Sequence, residues 1–416
     1  MLPASGPLGR CSLASGFRDA GRGSLASLAA MCSGMRATRV SGQQGEAVEE
    51  RIGDNESARR SRQGGNLKLI EWVAGRFSID MGIDLGTANT LVYIEDGGVV
   101  MNEPSVVAVK AGTSEVILGG RAVGREAYRM QGRAPHGIDV IRPLREGVIA
   151  DFEITEAMLR YFINALHNRR RFVKPRLVIA IPYGTTEVQR RAFIDSAERA
   201  GAREVYLVEE PIAAGLGAGL QVTEPEGNLI IDIGGGTTEV AVLSLAGVVE
   251  AACLRVAGDN FDEAIVKHIR DKYNLLIGPL MAEDIKHTIG SARVMVQEYS
   301  LEISGRDFMT GRPRRALISS DEIRSALQDP LRRIITGIQN VLERTPPELS
   351  ADLTKNGCTL AGGGALLKGL PEVLSEELDL EIHVAEDPLT CVARGTGVVL
   401  RQLDRLSPFL YSSNQH

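Results

Sequence analysis

An internal repeat constrains the fold of this chain more than any other feature. Ile83-Asp84-Leu85-Gly86-Thr87-Ala88-Asn89-Thr90 closes one apolar run, and Ile231-Asp232-Ile233-Gly234-Gly235-Gly236-Thr237-Thr238 closes another, the aspartates standing 232 − 84 = 148 residues apart. Each then resumes as an apolar run, Leu91-Val92-Tyr93-Ile94 and Val240-Ala241-Val242-Leu243. Each unit therefore reads as strand, glycine turn and returning strand. A hairpin turn without bulky side chains lets backbone N–H groups come close to phosphate oxygens. The aspartate ahead of each turn suits the hydration shell of Mg2+, which keeps its waters and takes few carboxylates. One copy alone would be an ordinary hairpin turn. Two copies in matched strand context point to hairpins that face each other and clamp a polyphosphate. No G-x-x-x-x-G-K-[ST] occurs, and the glycines join strand to strand, unlike a dinucleotide-binding fingerprint.

Around the repeat, short apolar runs such as Leu177–Ile181 and Leu229–Ile231 alternate with helical patterns over 154–167, 188–200, 261–273 and 321–342. That mixture predicts an α/β architecture. A third glycine cluster, Gly362-Gly363-Gly364-Ala365-Leu366-Leu367, follows the run 358–361 and is expected to open a helix through Leu374. Such a helix start suits a base, ribose or phosphate. Between the hairpins, Glu209 and Glu210 stand at an expected helix start, where the helix dipole favours acids. One of them could instead position a water for in-line attack on a γ-phosphate.

Composition narrows the alternatives. A formal charge of −6 over 416 residues gives no basic footprint for nucleic acid. The five cysteines are far apart and form no C-x-x-C pair, which argues against a zinc site or a disulfide framework. No apolar run approaches the length of a membrane span. Residues 1–66, with eleven Gly, nine Ser, nine Arg, no Lys and one aromatic, read as a disordered or non-native extension. From Leu67 to Phe77 the pattern changes. Leu69, Ile70, Trp72, Val73 and Phe77 fall on one helical arc, either docking on the core or lying in a membrane interface. The run Arg169-Arg170-Arg171-Phe172-Val173-Lys174 sets two apolar residues, Phe172 and Val173, among bases that suit anionic headgroups.

With these residues in hand, the chain resembles the actin, heat-shock chaperone and sugar kinase superfamily, and within it the MreB family of bacterial actins. The resemblance is carried by residues 82–90, 102–108, 142–151, 231–240, 344–349 and 361–367, in order, and spans about 67–407. It implies an actin-like ATPase fold of two duplicated ribonuclease H-like α/β domains around an interdomain nucleotide cleft. The domains would run over 79–220, with a small insert at about 108–145, and 221–407, with an insert at about 259–321, leaving a tail at 408–416.

The resemblance further implies an ATP-hydrolysing protein that forms membrane-associated filaments and directs peptidoglycan synthesis in rod-shaped cells. Thr87, Ala88 and Asn89 match the family's first phosphate loop, and Gly234, Gly235, Gly236 and Thr237 the second. Asp84 and Asp232 would face Mg2+ through its waters. Glu283, Asp284, Ile285 and Lys286 match the adenosine-side helix, and Gly363, Gly364, Ala365 and Leu366 the loop around ribose and base. Glu210 and Thr237 match the water-positioning pair, with Glu210 as general base. Without the family, Glu283 and Lys286 would read as a solvated i,i+3 pair. Leu67–Phe77 and Phe172-Val173 match the family's membrane-contact helix and loop.

Expected partners are further copies of the chain, the inner membrane surface and elongation proteins of the MreC, MreD and RodZ types, with the protein cytoplasmic at the inner face of the membrane. A small-molecule phosphotransferase of the same fold is the alternative. The small inserts, and the lack of any motif for a sugar hydroxyl, weigh against it.

Overall fold

The computed structural model describes residues 79–167, 173–407 and 410–412. The 1–66 extension, the expected helix over 67–78 with Leu69, Ile70, Trp72, Val73 and Phe77, and Phe172 lie outside the described residues.

The first glycine turn joins β1 (Met81–Leu85) to β2 (Asn89–Ile94) in antiparallel register, Asp84 opposite Leu91. β3 (Gly98–Pro104) continues the meander beyond β2. Two small pairs follow, β4 (Val107–Lys110) with β5 (Ile138–Ile141) and β6 (Leu144–Arg145) with β7 (Val148–Ile149). β8 (Arg176–Ile181) and β9 (Glu204–Glu209) then add in parallel on the other side of β1, giving the order β9-β8-β1-β2-β3.

The second half repeats this plan. β10 (Asn228–Ile233), β11 (Thr238–Ser244) and β12 (Gly247–Leu254) form the meander. β13 (Leu275–Leu276), β14 (Ser300–Asp307) and β15 (Pro313–Ser319) make a separate three-stranded sheet. β16 (Cys358–Ala361) and β17 (Ile382–Val384) add in parallel beside β10, giving β17-β16-β10-β11-β12. Strand for strand the two orders are the same, so the sequence echo is a duplicated sheet. The central strands are buried on both faces, which explains their nearly unbroken apolar runs.

The expected tail is more than that. β18 (Tyr411–Ser412) pairs antiparallel with β9 as a sixth strand of the first sheet, and the Arg190 guanidinium lies 4.0 Å from the centre of the Tyr411 ring.

The helices that matter for the site are α1 (Arg125–Tyr128), α2 (Phe152–His167), α3 (Glu187–Ala200), α4 (Glu210–Gly217), α5 (Gly258–Tyr273), α6 (Pro279–Ile289), α7 (Ser320–Arg344), α8 (Leu370–Leu378) and α9 (Cys391–Arg401). α3 and α7 begin ahead of their apolar periods because each opens with a capping box, Thr186 with Gln189 and Ser319 with Glu322. α2 and α3 cover one face of the first sheet, and α5 and α7 one face of the second, each over its own apolar core.

A third core lies between the sheets and includes Val178, Ala180, Ile230, Ala241 and residues of α4 and α9. Those two helices cross at backbone contact. A Cβ on Gly217 would stand 1.8 Å from the Cys391 carbonyl oxygen, and one on Gly395 would stand 1.8 Å from that of Ala213. No side chain fits at either place. No helix among the described residues is long and apolar enough to cross a membrane.

Candidate functional site

The two glycine turns meet. A Cβ on Gly235 would lie 2.5 Å from the Ala88 Cβ, and one on Gly236 would lie 2.7 Å from the Thr87 Oγ1. The turns expected to face each other thus touch, with the side chains of one filling space that the glycines of the other leave open.

Each turn is braced from outside. Ser105, fully buried after β3, donates to the Gly86 carbonyl at 2.6 Å, exchanges a 2.9 Å hydrogen bond with Thr90, and sends its N–H to the Ala88 carbonyl. Thr87 Oγ1 accepts the Gly147 N–H at 3.1 Å. Gly147 has a positive φ and stands so close to Pro182 and Thr237 that a Cβ would not fit. The segments 102–108 and 142–151 therefore support the first turn. In the second turn the Gly234 N–H bonds the Thr237 carbonyl, and the Gly234 and Gly235 carbonyls take the first N–H groups of α5, from Gly258 and Asp259.

The third glycine cluster lies beside the second turn, because β16 pairs with β10 and places Ala361 opposite Asp232. Gly362 comes within 2.2 Å of the Asp232 Oδ1, measured from a virtual Cβ, and Gly364 packs on Ile233. The expected continuous helix after it is two elements. Gly363–Leu366 is a single 3-10 turn, and α8 starts only at Leu370, after Gly369 in the left-handed region. Gly363 and Leu366 are exposed and Ala365 is buried.

On α6, Ile285 belongs to the core, Asp284 is exposed, and Lys286 donates to the Asp262 carboxylate at 2.9 Å and the Gly258 carbonyl at 3.2 Å. Glu283 accepts from the Tyr128 hydroxyl. The i,i+3 pair expected from spacing alone is absent, since each member is held by a residue distant in sequence.

Four carboxylates gather behind the turns. Burial, with Asp232 adding repulsion, pushes Asp84 up to about 8, and burial pushes Asp232 up to about 7. Burial followed by the charges of Glu239, Asp84 and Asp232 holds Glu210 well above the ordinary carboxylate range. Glu239 rises to about 8, mainly through burial. The charges acting on Asp84 and Glu210 are all carboxylates. Such a cluster is costly alone and suits a cation, which would favour the ionised forms. Among the described residues no three His, Cys, Asp or Glu side chains are arranged to grip an ion directly, so a cation here fits contact through its waters.

Glu210 opens α4, as expected, while Glu209 precedes it and has Arg190 as its cationic neighbour. Sequence reasoning passed over Glu239. It is 1 % exposed, accepts from the Tyr183 N–H at 3.4 Å, and its Oε1 has no partner among the described residues. The signal was present, an acid inside the otherwise apolar run of β11. Val173 lies far along the chain from these groups, and its carbonyl bonds the His167 ring at 2.7 Å.

Two sheets of the same order, with their first turns in contact above a buried acidic pair, define a protein of the actin-like ATPase fold. A family model described as MreB/Mbl protein matches residues 78–408. The cell shape-determining protein MreB of Escherichia coli (strain K12) is 49% identical over 349 residues, 83% of this chain and 99% of that one. Mbl of Bacillus subtilis (strain 168), also called cell shape-determining, is 47% identical over 330 residues, 79% and 98% of the two chains. The crystal structure of MreB5 of Spiroplasma citri bound to ADP superposes with a TM-score of 0.75 at 39% identity, over 80% of this chain and 98% of that one; the same protein is also known bound to AMPPNP. This chain belongs to the MreB/Mbl family of cell shape-determining bacterial actins.

Proposed function

We propose that this chain binds Mg-ATP against the two turns, hydrolyses it, and couples hydrolysis to assembly into filaments on the inner face of the cell membrane. The observation that carries this reading is the contact of Gly235 and Gly236 with Ala88 and Thr87 above Asp84 and Asp232. Backbone N–H groups of 87–89 and 235–237 would take the phosphate oxygens. Asp84 and Asp232 would hold the waters of Mg2+, which supplies charge neutralisation on the phosphates. Glu210, kept basic by burial and then by its acidic neighbours, would accept the proton of the attacking water, with the Thr237 hydroxyl orienting that water. Lys286 and the 363–366 turn would border the nucleoside.

The nucleotide-bound relative from Spiroplasma citri supports the binding step. Filament formation, wall-synthesis partners of the MreC, MreD and RodZ types, and membrane contact through Leu69, Ile70, Trp72, Val73, Phe77, Phe172 and Val173 rest on the family resemblance.

The test is co-sedimentation of the full chain with anionic liposomes, with and without Mg-ATP, pellets being inspected by electron microscopy. Nucleotide-dependent filaments on lipid are expected. A soluble monomer that still consumes ATP would overturn the assembly reading, and a chain that binds no nucleotide would overturn it all.

A further inference from the structure

Two side chains of the segment 108–145 reach across to the second half. Tyr128, at the end of α1, donates its hydroxyl to Glu283 Oε2 on α6 at 2.5 Å. Arg142, just after β5, pairs with Asp259 in the first turn of α5 at 3.0 Å. Both contacts end on elements that support the second glycine turn. The Asp259 N–H bonds the Gly235 carbonyl. Lys286, on the same helix as Glu283, bonds the carbonyl of Gly258, whose own N–H bonds Gly234.

The junction is thinly made. A cavity of about 390 Å3 lies at it, lined by Gln131, Arg142, Asp262, Val266 and Leu280 among others. Inside it Gln131 Oε1 and Arg142 Nε are buried with no hydrogen-bond partner among the described residues. Parting the lobes here would therefore break a few polar contacts and expose little packed apolar surface, unlike the crossing of α4 and α9. Burial, and then the Glu283 carboxylate, raise the Tyr128 phenol above its ordinary value, so it remains a donor at any physiological pH.

We propose that the Tyr128–Glu283 hydrogen bond is a latch that holds the two inserted lobes together and limits how fast nucleotide leaves the cleft. The inference rests on the nucleotide site proposed above and gives Glu283 a different task from contact with adenosine. With the latch closed, α6 and the start of α5 keep the second turn in place. Once the hydroxyl lets go, Arg142–Asp259 is the ion pair left between these lobes among the described residues, and α6 can swing with its lobe.

The test is stopped-flow release of a fluorescent ADP analogue from the full chain in Mg2+, chased with excess ATP. Tyr128→Phe, which keeps the ring and removes the donor, is expected to speed release about tenfold, the equivalent of one hydrogen bond to a charged group. Glu283→Ala should match it, and the double variant should be no faster than either single one. Glu283→Gln, which keeps an acceptor, should fall closer to the parent. Release at the parental rate from Tyr128→Phe would overturn the latch while leaving the nucleotide site standing. So would additive effects in the double variant, because Glu283 would then act on nucleotide independently of Tyr128. A parent chain that retains no analogue would remove the site and the latch together.

Discussion

The two glycine turns descend from one pattern and do opposite things. The first keeps side chains, Thr87, Ala88 and Asn89, and is buttressed by Ser105 and Gly147. The second is bare, Gly234-Gly235-Gly236, and is buttressed by the start of α5. Ala88 and Thr87 occupy the room that Gly235 and Gly236 leave. Had both turns kept side chains they would collide, and had both lost them the space between would be a gap with no packing partner. Duplicated strands give the frame, and complementary turns let the halves touch. The inserted lobes differ in the same spirit. That of the first half has a two-stranded sheet and a small core of Val106, Ala108, Ala122 and Ala127, whereas that of the second has a three-stranded sheet and a tight polar cluster around Glu322.

These contrasts can be broken experimentally. Glu210 lies on neither turn, so it separates chemistry from clamping. Glu210→Gln should slow phosphate release by about 100-fold, the usual scale for a lost general base, with ATP affinity nearly unchanged. Undiminished release in a coupled phosphate assay would take Glu210 out of the mechanism.

The complementarity itself is tested by Gly235→Ala, expected to weaken ATP binding by about 30-fold as the overpacked turns part, at a cost of about 2 kcal/mol. Ala88→Gly in the same chain should recover most of that loss in a calorimetric titration. Failure of the second change to compensate would deny that the two turns share one space.

The paired aspartates should prove equivalent. Asp84→Asn and Asp232→Asn should each lower Mg2+-dependent ATP affinity by about tenfold, as removal of groups that orient a metal's ligands does. A loss confined to one of them, seen by titrating Mg2+ at fixed ATP, would break the equivalence.

The smallest effect concerns the lobes. Burial works against the Glu322 charge, yet hydrogen bonds from Lys272, the Ser319 N–H, His268 and Tyr273 hold its carboxyl at about 2, below its ordinary 4.5. A depressed carboxylate adds stability that is complete above the ordinary value and is lost as pH falls through about 2. Glu322→Gln should therefore lower Tm by about 2–4 °C at neutral pH, and its melting curve should converge on the parent's toward pH 2. A constant difference across that range would mean the loss is one of packing.

Much of the fold could be read because it was stated twice. Asp84 and Asp232, each followed by a glycine turn and a returning apolar run, announced the meanders, and the long apolar strands announced a sheet covered on both faces. Local start signals were present but unread, since Thr186 with Gln189 and Ser319 with Glu322 cap α3 and α7 and start each one residue ahead of the expected 188 and 321. What stayed hidden depends on partners distant in the chain. Nothing near Tyr128 indicates Glu283, 155 residues on, and Ser105 looks like any serine until the Gly86 carbonyl is beside it. The break between Gly363–Leu366 and α8 was missed because Gly369, in the left-handed region at φ 75°, interrupts a pattern that apolar spacing alone would continue. Glu239 was legible as an oddity, an acid in a buried strand, but its neighbours Asp232 and Glu210 come from two other elements.

The crossing of α4 and α9 bears on how these halves came to differ. Ala213 and Cys391 stand 178 residues apart, as do Gly217 and Gly395, and each glycine meets the carbonyl at the other helix's first position of that pair. This is the arrangement of an isologous contact, in which one patch recognises a copy of itself. In a symmetric dimer any substitution is made twice, so an alanine put on one turn would be put on both. Joined in one chain, the halves keep the self-complementary grip of their helices while each turn mutates alone. That freedom is what allows Ala88 to stand opposite Gly235.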